Sequence, residues 1–175
     1  VYEYVRNAII RGELNPGEKL VQLSLAAQLG SSQGPVREAL QRLERDGLVE
    51  RRARSAAYVT QISLDAMYEL FFIRSMIEGF AIRRTAPKIT SEQCDYLVKL
   101  ILKMAEVGNE RDIFTLAELD LQFHRLIVEW SGSASLMHVW TPLTGQIQRF
   151  IVQSHPVHYP DYVQVSVRHL TIINA

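Results

Sequence analysis

The sequence predicts a mainly α-helical chain in two parts: a short N-terminal unit that combines helices with a hairpin, then a longer all-α antiparallel bundle. Three observations carry that prediction. Residues 1–62 hold short helical patterns punctuated by glycines, followed by two short β-like runs. From Ser63 onward the apolar period is helical throughout. The breaks in that second part fall at Ser/Thr/Asp caps and at Gly or Pro, where helices start and stop.

The bulk numbers narrow the class. A chain of 175 residues suffices for one or two domains with a sizeable core, and 47% hydrophobic content is ordinary for a soluble protein. The formal net charge is zero, yet residues 1–62 carry nine Lys/Arg against seven Asp/Glu and the remainder ten against twelve. That mild asymmetry favours nucleic-acid contact near the N-terminus. One cysteine, Cys94, excludes an internal disulfide framework and fits a reducing cytoplasm. No apolar run approaches the roughly 18 residues of a membrane span, and no signal-peptide pattern is present. The chain starts without Met inside a helical pattern, which predicts that residues precede it.

In order, Val1 to Gly12 reads as a helix with Val1, Val5, Ala8 and Ile9 on one side, stopped by glycine. Leu14-Asn15-Pro16-Gly17 is a turn, and Ser24–Leu29 a second helix ended by Gly30. Between Gly30 and Gly47 lies the third. Pro35 sits in its first turn, Ser31 and Ser32 stand upstream as caps, and Val36, Leu40 and Leu43 form one apolar stripe. Gln33, Arg37, Gln41 and Arg45 fall off that stripe, so the helix offers a polar, Arg-bearing face that a major groove accepts. Taken alone, this stretch fits an ordinary surface helix equally well. Leu48–Arg52 and Tyr58–Ile62 then read as two strands joined by a tip at Ala53–Ala57. Three helices followed by a hairpin make a winged helix-turn-helix over residues 1–62, and Arg51, Arg52 and Arg54 crowd the wing where phosphates or the minor groove would be touched.

The bundle over residues 63–175 predicts helices from Ser63 to about Ala86, Glu92 to Val107, Asp112 to Ser131 and Ser135 to about Ser154, the last delayed or kinked by Pro142. His155–Pro160 reads as a loop, and a final helix starts near Asp161. In the first of these helices Ala66, Leu70, Ile73, Ile77, Phe80 and Ala81 form the expected buried side, with Arg74 at its edge. Arg74 is either a plain partner of Glu78 or a guanidinium offered to an anion in a cavity, a role open to Arg149 as well.

Asp120 and His124 pose the sharper question. Glu118, Gln122, Arg125 and Glu129 mark the solvent face of their helix, and Asp120 and His124 lie away from it, one turn apart. A buried carboxylate needs a partner or a metal. The pair is either a hydrogen-bonded couple inside the bundle or two ligands of a metal site. His169, in a helix with Val165, Ile172 and Ile173 on one side, is the best-placed third ligand. His155 and His158 look exposed, and nothing singles out His138.

These residues resemble a known family. Leu14–Leu20, Leu25–Gly30, the run Pro35-Val36-Arg37-Glu38-Ala39-Leu40 and Asp46–Val49 resemble the winged-helix domain of GntR-family transcriptional regulators. Ile73-Arg74, Ile77-Glu78, Asp120-x-x-x-His124 and a His 45 residues later, His169, resemble the FadR-type (FCD) effector domain. The resemblance implies a homodimeric, cytoplasmic regulator that binds a pseudo-palindromic double-stranded operator. It also implies a small carboxylate effector, held with the help of a divalent ion by Asp and His ligands and of an Arg equivalent to Arg74. Nitrogen-rich ligation with one carboxylate suits Zn, Ni or Mn-like ions.

The chain departs from the pattern at four places. Ser32-Gln33-Gly34 replaces a usual Ser-Arg-Thr/Ala, Ala56 a wing glycine, and Arg168 a usual Glu, while the family's last helix and third metal His would fall beyond Ala175. Gln33 is suited to read adenine instead. The expected function is therefore ligand-responsive regulation with no catalysis, Ser32, Gln33, Gly34 and Arg37 meeting DNA alongside the wing arginines. A metal-dependent enzyme with an appended DNA-binding domain is the alternative, and a general acid or base beside the metal would distinguish it.

Overall fold

A computed structural model of the chain describes residues 1–52, 56–158 and 161–174. The wing tip, with Arg54, lies outside the described residues. Helix α1 (Tyr2–Arg11), α2 (Gln22–Gln28) and α3 (Gln33–Arg45) pack around Val5, Ile9, Leu25, Val36, Leu40 and Leu43, all buried. Strands β2 (Val49–Arg52) and β3 (Ala56–Val59) form the hairpin, in register Val49↔Val59 and Arg51↔Ala57. A third strand, β1 (Lys19–Leu20), pairs antiparallel with β3, giving the order β1-β3-β2. Two residues carry no readable period, so sequence patterning passes over this strand. Gly47 turns the chain from α3 into β2 at φ +69, and its bare Cα lies against Gln146; a side chain there would meet both obstacles.

The second part is helical among the described residues: α4 (Leu64–Thr85), α5 (Ser91–Asn109), α6 (Ile113–Trp130), α7 (Ala134–Trp140), α8 (Thr144–His158) and α9 (Val163–Ile173). Side-chain caps set the starts. Ser63 Oγ accepts the Ala66 N–H, Thr90 and Gln93 form a reciprocal capping box, and Asp112 accepts the Thr115 N–H. Leu97, Met104, Leu116, Phe123, Ile127, Trp140 and Ile147 fill the core.

Three expectations need correction. The single helix from Ser135 is two, α7 and α8, joined by a 3-10 turn at Thr141–Leu143 because Pro142 cannot donate an amide hydrogen. The loop expected from His155 is instead the last turn of α8, which continues through Pro156 to His158. Proline forfeits one backbone bond there, and the turn persists nonetheless. In α4 the buried side runs through Met67, Arg74 and Ala81, whereas Ile73 and Phe80 are exposed.

Helix α8 joins the two parts. Gln153 Nε2 donates to the carbonyls of Ile9 (3.1 Å) and Ile10 (3.3 Å), Arg6 donates to Gln148 Oε1 at 2.6 Å, and Arg149 Nη1 donates to the Thr60 carbonyl at 2.9 Å. Gly145 lies against Leu48, and Ile10 of α1 reaches into the bundle core. At the far side, α5 and α9 cross closely at Gly108, where an added Cβ would sit 3.2 Å from the Tyr162 and Val163 backbone. Backbone cannot yield as a side-chain tip does. Gly108→Ala is expected to cost about 1–3 kcal/mol in denaturant unfolding, whereas alanine at half-buried Gly34, where the space is open, should not destabilise.

Candidate functional site

The N-terminal unit presents a polar face. Val36, Ala39, Leu40 and Leu43 anchor α3 inward, which leaves Ser32, Gln33, Arg37 and Gln41 exposed and Gly34 half-buried at the helix start. Arg37 holds no ion pair among the described residues. The wing arginines are tied locally: Arg51 Nε donates to Glu44 Oε2 at 2.9 Å, and Arg52 pairs with Glu50 while its guanidinium lies 4.7 Å from the Tyr58 ring centre. Tyr2 braces the back of α3. Its hydroxyl donates to Asp46 at 2.6 Å, and burial together with that carboxylate pushes the phenol up to about 12.

A cavity of about 630 Å³ opens in the bundle between α4, α6, α8 and α9. At its inner end four of the five residues singled out for the effector and metal come together. Arg74, Asp120 and His169 are buried and His124 half-buried. Asp120 Oδ1 lies 3.1 Å from His169 Nε2, and Arg74 Nη2 donates to Asp120 Oδ2 at 3.4 Å. His124 Nε2 lies 3.2 Å from His169 Nε2.

Glu78 completes the cluster, a role its sequence spacing hides. One oxygen accepts from Arg74 Nε and Trp140 Nε1, each at 2.8 Å, and the other from His124 Nδ1 at 2.8 Å. Burial works against its ionisation, but the hydrogen bond and charge of His124, with Arg74 and Trp140, bring its carboxyl down to about 2. Burial opposes the Asp120 charge too, and the hydrogen bond from His169 with the charges of His124 and Arg74 overcomes it, holding that carboxyl well below the usual range. The position of Glu78 four residues after Arg74 is the available signal, readable from sequence only as a surface pair.

The hydrogen bonds define the tautomers. His124 gives its Nδ1 hydrogen to Glu78, and His169 gives its own to the Val165 carbonyl at 2.8 Å. When both rings are neutral, as a cation requires, each turns a bare Nε2 toward the other and toward Asp120; otherwise the His169 Nε2–H bonds Asp120. Two facing lone pairs need a proton or a cation between them. The ligating atoms of Asp120, His124 and His169 lie within 4.8 Å of one another, so this donor set fits a metal ion. A carboxylate and a carbonyl behind the two rings are the supports that fix metal-binding imidazoles.

Arg149 is a correction. It lines no part of the cavity; its helix turns it toward the winged unit, where Nη1 bonds the carbonyl and hydroxyl of Thr60. Each position on a helix is turned about 100° from the last, so Phe150 and Ile151 fall on the cavity side of α8 and Arg149 does not. His155 and His158, expected to stand clear in a loop, line the cavity because α8 runs on past them.

Residues 1–59 match the family of bacterial regulatory proteins, gntR family, and residues 69–175 match the FCD domain. A probable D-xylose utilization operon transcriptional repressor of Paenarthrobacter nicotinovorans is 31% identical over 88% of this chain and 68% of its own length. The HTH-type transcriptional repressor RspR of Escherichia coli K12 is 33% identical over 74% of this chain and 57% of its own length. The solved structure of E. coli McbR/YncC has a similar fold, with a TM-score of 0.78 at 22% identity, covering 98% of this chain and 82% of that one. No described helix is long and apolar enough to cross a membrane. The chain thus belongs to the GntR family, DNA-binding transcriptional regulators rather than enzymes, and carries an FCD domain behind its winged helix-turn-helix.

Proposed function

We propose that this chain is an effector-responsive regulator that binds a pseudo-palindromic operator as a homodimer. A small carboxylate, held beside a divalent ion in the bundle cavity, sets its operator affinity. The observation that carries this reading is the meeting of Arg74, Asp120, His124 and His169 at the inner end of a cavity walled by α8. That same helix grips the winged unit.

Asp120, His124 and His169 would hold the ion, and Zn, Ni or Mn-like ions suit such ligands. When bound, it supplies a Lewis-acidic position for a carboxylate oxygen. Arg74 keeps Asp120 oriented and adds a guanidinium at the same end of the cavity. Glu78 fixes the His124 ring. Exposed Ser32, Gln33 and Arg37 at the start of α3 would meet base edges and phosphate, with Gly34 allowing close approach and Arg51, Arg52 and Arg54 following from the wing. A DNA operator as partner implies a cytoplasmic location.

A dimer is supported by α4. Leu64, Tyr68, Phe72, Met76 and Phe80, four residues apart, form an exposed apolar stripe along its outer face. A monomer rarely leaves so long a stripe in water. Two copies meeting there would set two recognition helices at a fixed spacing, as a palindrome requires.

Helix α8 offers the route between ligand and DNA. Phe150, Ile151, Ser154 and His155 face the cavity, while Gln148, Arg149 and Gln153 hold Arg6, Thr60 and the end of α1. A ligand that shifts α8 by a fraction of a bond length alters the hydrogen bonds that these three side chains make to the winged unit.

Three outcomes follow. Arg37→Ala should lower affinity for an operator selected from random-sequence DNA by at least tenfold in anisotropy titrations, in line with about 1–3 kcal/mol for such a contact, with the melting temperature unchanged. Glu78→Gln should weaken Zn binding about 10–100-fold by calorimetry, whereas native protein takes up one ion per chain by elemental analysis. Arg149→Met should fold with stability within about 1 kcal/mol of native, because two of its buried guanidinium nitrogens have no hydrogen-bond partner among the described residues. In that variant the difference in operator affinity between ligand-bound and ligand-free protein should shrink.

A further inference from the structure

Among the described residues, helix α7 contributes nothing to the lining of the cavity, yet one of its side chains reaches the buried cluster from behind. Trp140, the last residue of α7, is 1% exposed and belongs to the bundle core. Its Nε1–H donates to Glu78 Oε1 at 2.8 Å, the oxygen that also accepts from Arg74 Nε. The other described partners of Glu78, Arg74 and His124, are members of the cluster themselves. Arg74 is shared with Asp120 and stands on the same helix as Glu78. The indole is therefore the partner that ties the Glu78 carboxylate to something outside the cluster, and its ring is packed too tightly to follow a moving side chain.

The chemistry of the donors gives this contact a consequence. Arginine and indole can only donate hydrogen bonds. With both of them on Oε1, Glu78 must act as an acceptor there, and Oε2 is left to accept from His124 Nδ1 at 2.8 Å. A hydrogen on Nδ1 leaves the lone pair of the neutral ring on Nε2, the nitrogen that meets His169 and groups with Asp120. The tautomer that can ligate is thus set from α7, through Glu78. His169 needs no such relay, because the Val165 carbonyl of its own helix takes its Nδ1 hydrogen at 2.8 Å. His124 depends instead on a carboxylate at the end of a rotatable side chain, which must itself be held.

We propose that Trp140 is a positioning residue for the metal site: its indole N–H holds the Glu78 carboxylate where it fixes the His124 ring with Nε2 free for the ion. The proposal rests on the metal reading above and adds to it a residue outside the cavity. Trp140 touches neither ion nor ligand and acts through Glu78. Without the N–H, Glu78 is held only by groups that move with the cluster, and the His124 ring loses its outside reference. Sequence spacing gives no hint of this role, because Trp140 lies 62 residues from Glu78 and reads as plain core.

The test uses the full chain, with Zn alone as the probe. Trp140→Phe keeps an aromatic ring in the core and deletes the N–H. Its Zn affinity, read by calorimetric competition against a chelator, should fall about tenfold, the low end for groups behind a metal ligand, with one ion per chain retained. Melting of the Zn-free protein reports the packing cost separately. A purely structural ring would lower the melting temperature and leave the Zn Kd within about twofold of native, and that result would overturn the proposal. The second measurement follows the indole N–H signals of isotope-labelled native protein, assigned to the two tryptophans with Trp130→Phe. Zn should move the Trp140 signal, because its acceptor Glu78 also holds the ligating ring. A Trp140 signal that stays in place while Zn saturates the site would overturn the proposal, whether or not Trp140→Phe folds, and would leave the metal reading standing. Native protein that takes up no Zn would overturn the metal reading and the proposal with it.

Discussion

A charge removed from water must find its opposite, and this bundle buries a cation and two carboxylates at one place. Arg74 lies between Glu78 and Asp120, and each of those acids also holds a histidine. No member can be replaced by an apolar residue without stranding another charge. Removing one partner of such a group typically costs about 3–5 kcal/mol, far more than the pair contributes over a well-packed apolar substitute. A cluster this costly to maintain is poor evidence for stability and good evidence for a site. Its geometry supports the same conclusion: both imidazoles are oriented from behind, and their free nitrogens converge with a carboxylate at the end of an open cavity.

The second constraint is that one helix serves two faces. Helix α8 covers the cavity with Phe150, Ile151, Ser154 and His155, and reaches the winged unit with Gln148, Arg149 and Gln153. These contacts are side-chain hydrogen bonds, to backbone carbonyls and to other side chains, set beside the apolar contacts of Ile10 and Leu48. Such bonds are directional and contribute about 1 kcal/mol each. A small displacement of α8 therefore changes how the winged unit is held without unfolding either part. Arg149 illustrates the bias: burial lowers its guanidinium to about 10, and two of its nitrogens are unmatched among the described residues. The junction is thus imperfectly satisfied on one side, as a contact that must yield would be.

Much of this was legible in the sequence, and the failures have physical causes. Helix α6 has a clean polar edge at Glu118, Gln122, Arg125 and Glu129, all exposed, so the inward placement of Asp120 followed directly. Helix α4 has apolar residues on both sides, Met67 and Ala81 within and Tyr68, Phe72 and Met76 without, so counting them sets no phase. Arg74 consequently reads as peripheral when it is central. Its partner Glu78 looked like an ordinary surface pair, because sequence spacing shows who is near along a helix and not what crosses from another. The wing hairpin was readable from two β-like runs, while β1 was too short to register. His155 and His158 were hidden by Pro156, whose usual effect on a helix is overridden at the end of α8.

The claim at the centre of this account is that occupancy of the cavity changes how the winged unit meets DNA. It is tested most directly by measuring operator affinity, by fluorescence anisotropy, for the Zn-loaded protein at zero and at saturating concentration of a carboxylate shown by calorimetry to occupy the cavity. The account predicts a shift in operator Kd of about 5–150-fold, the usual span of coupling between two sites. An operator Kd that stays the same while the carboxylate saturates the cavity would contradict it.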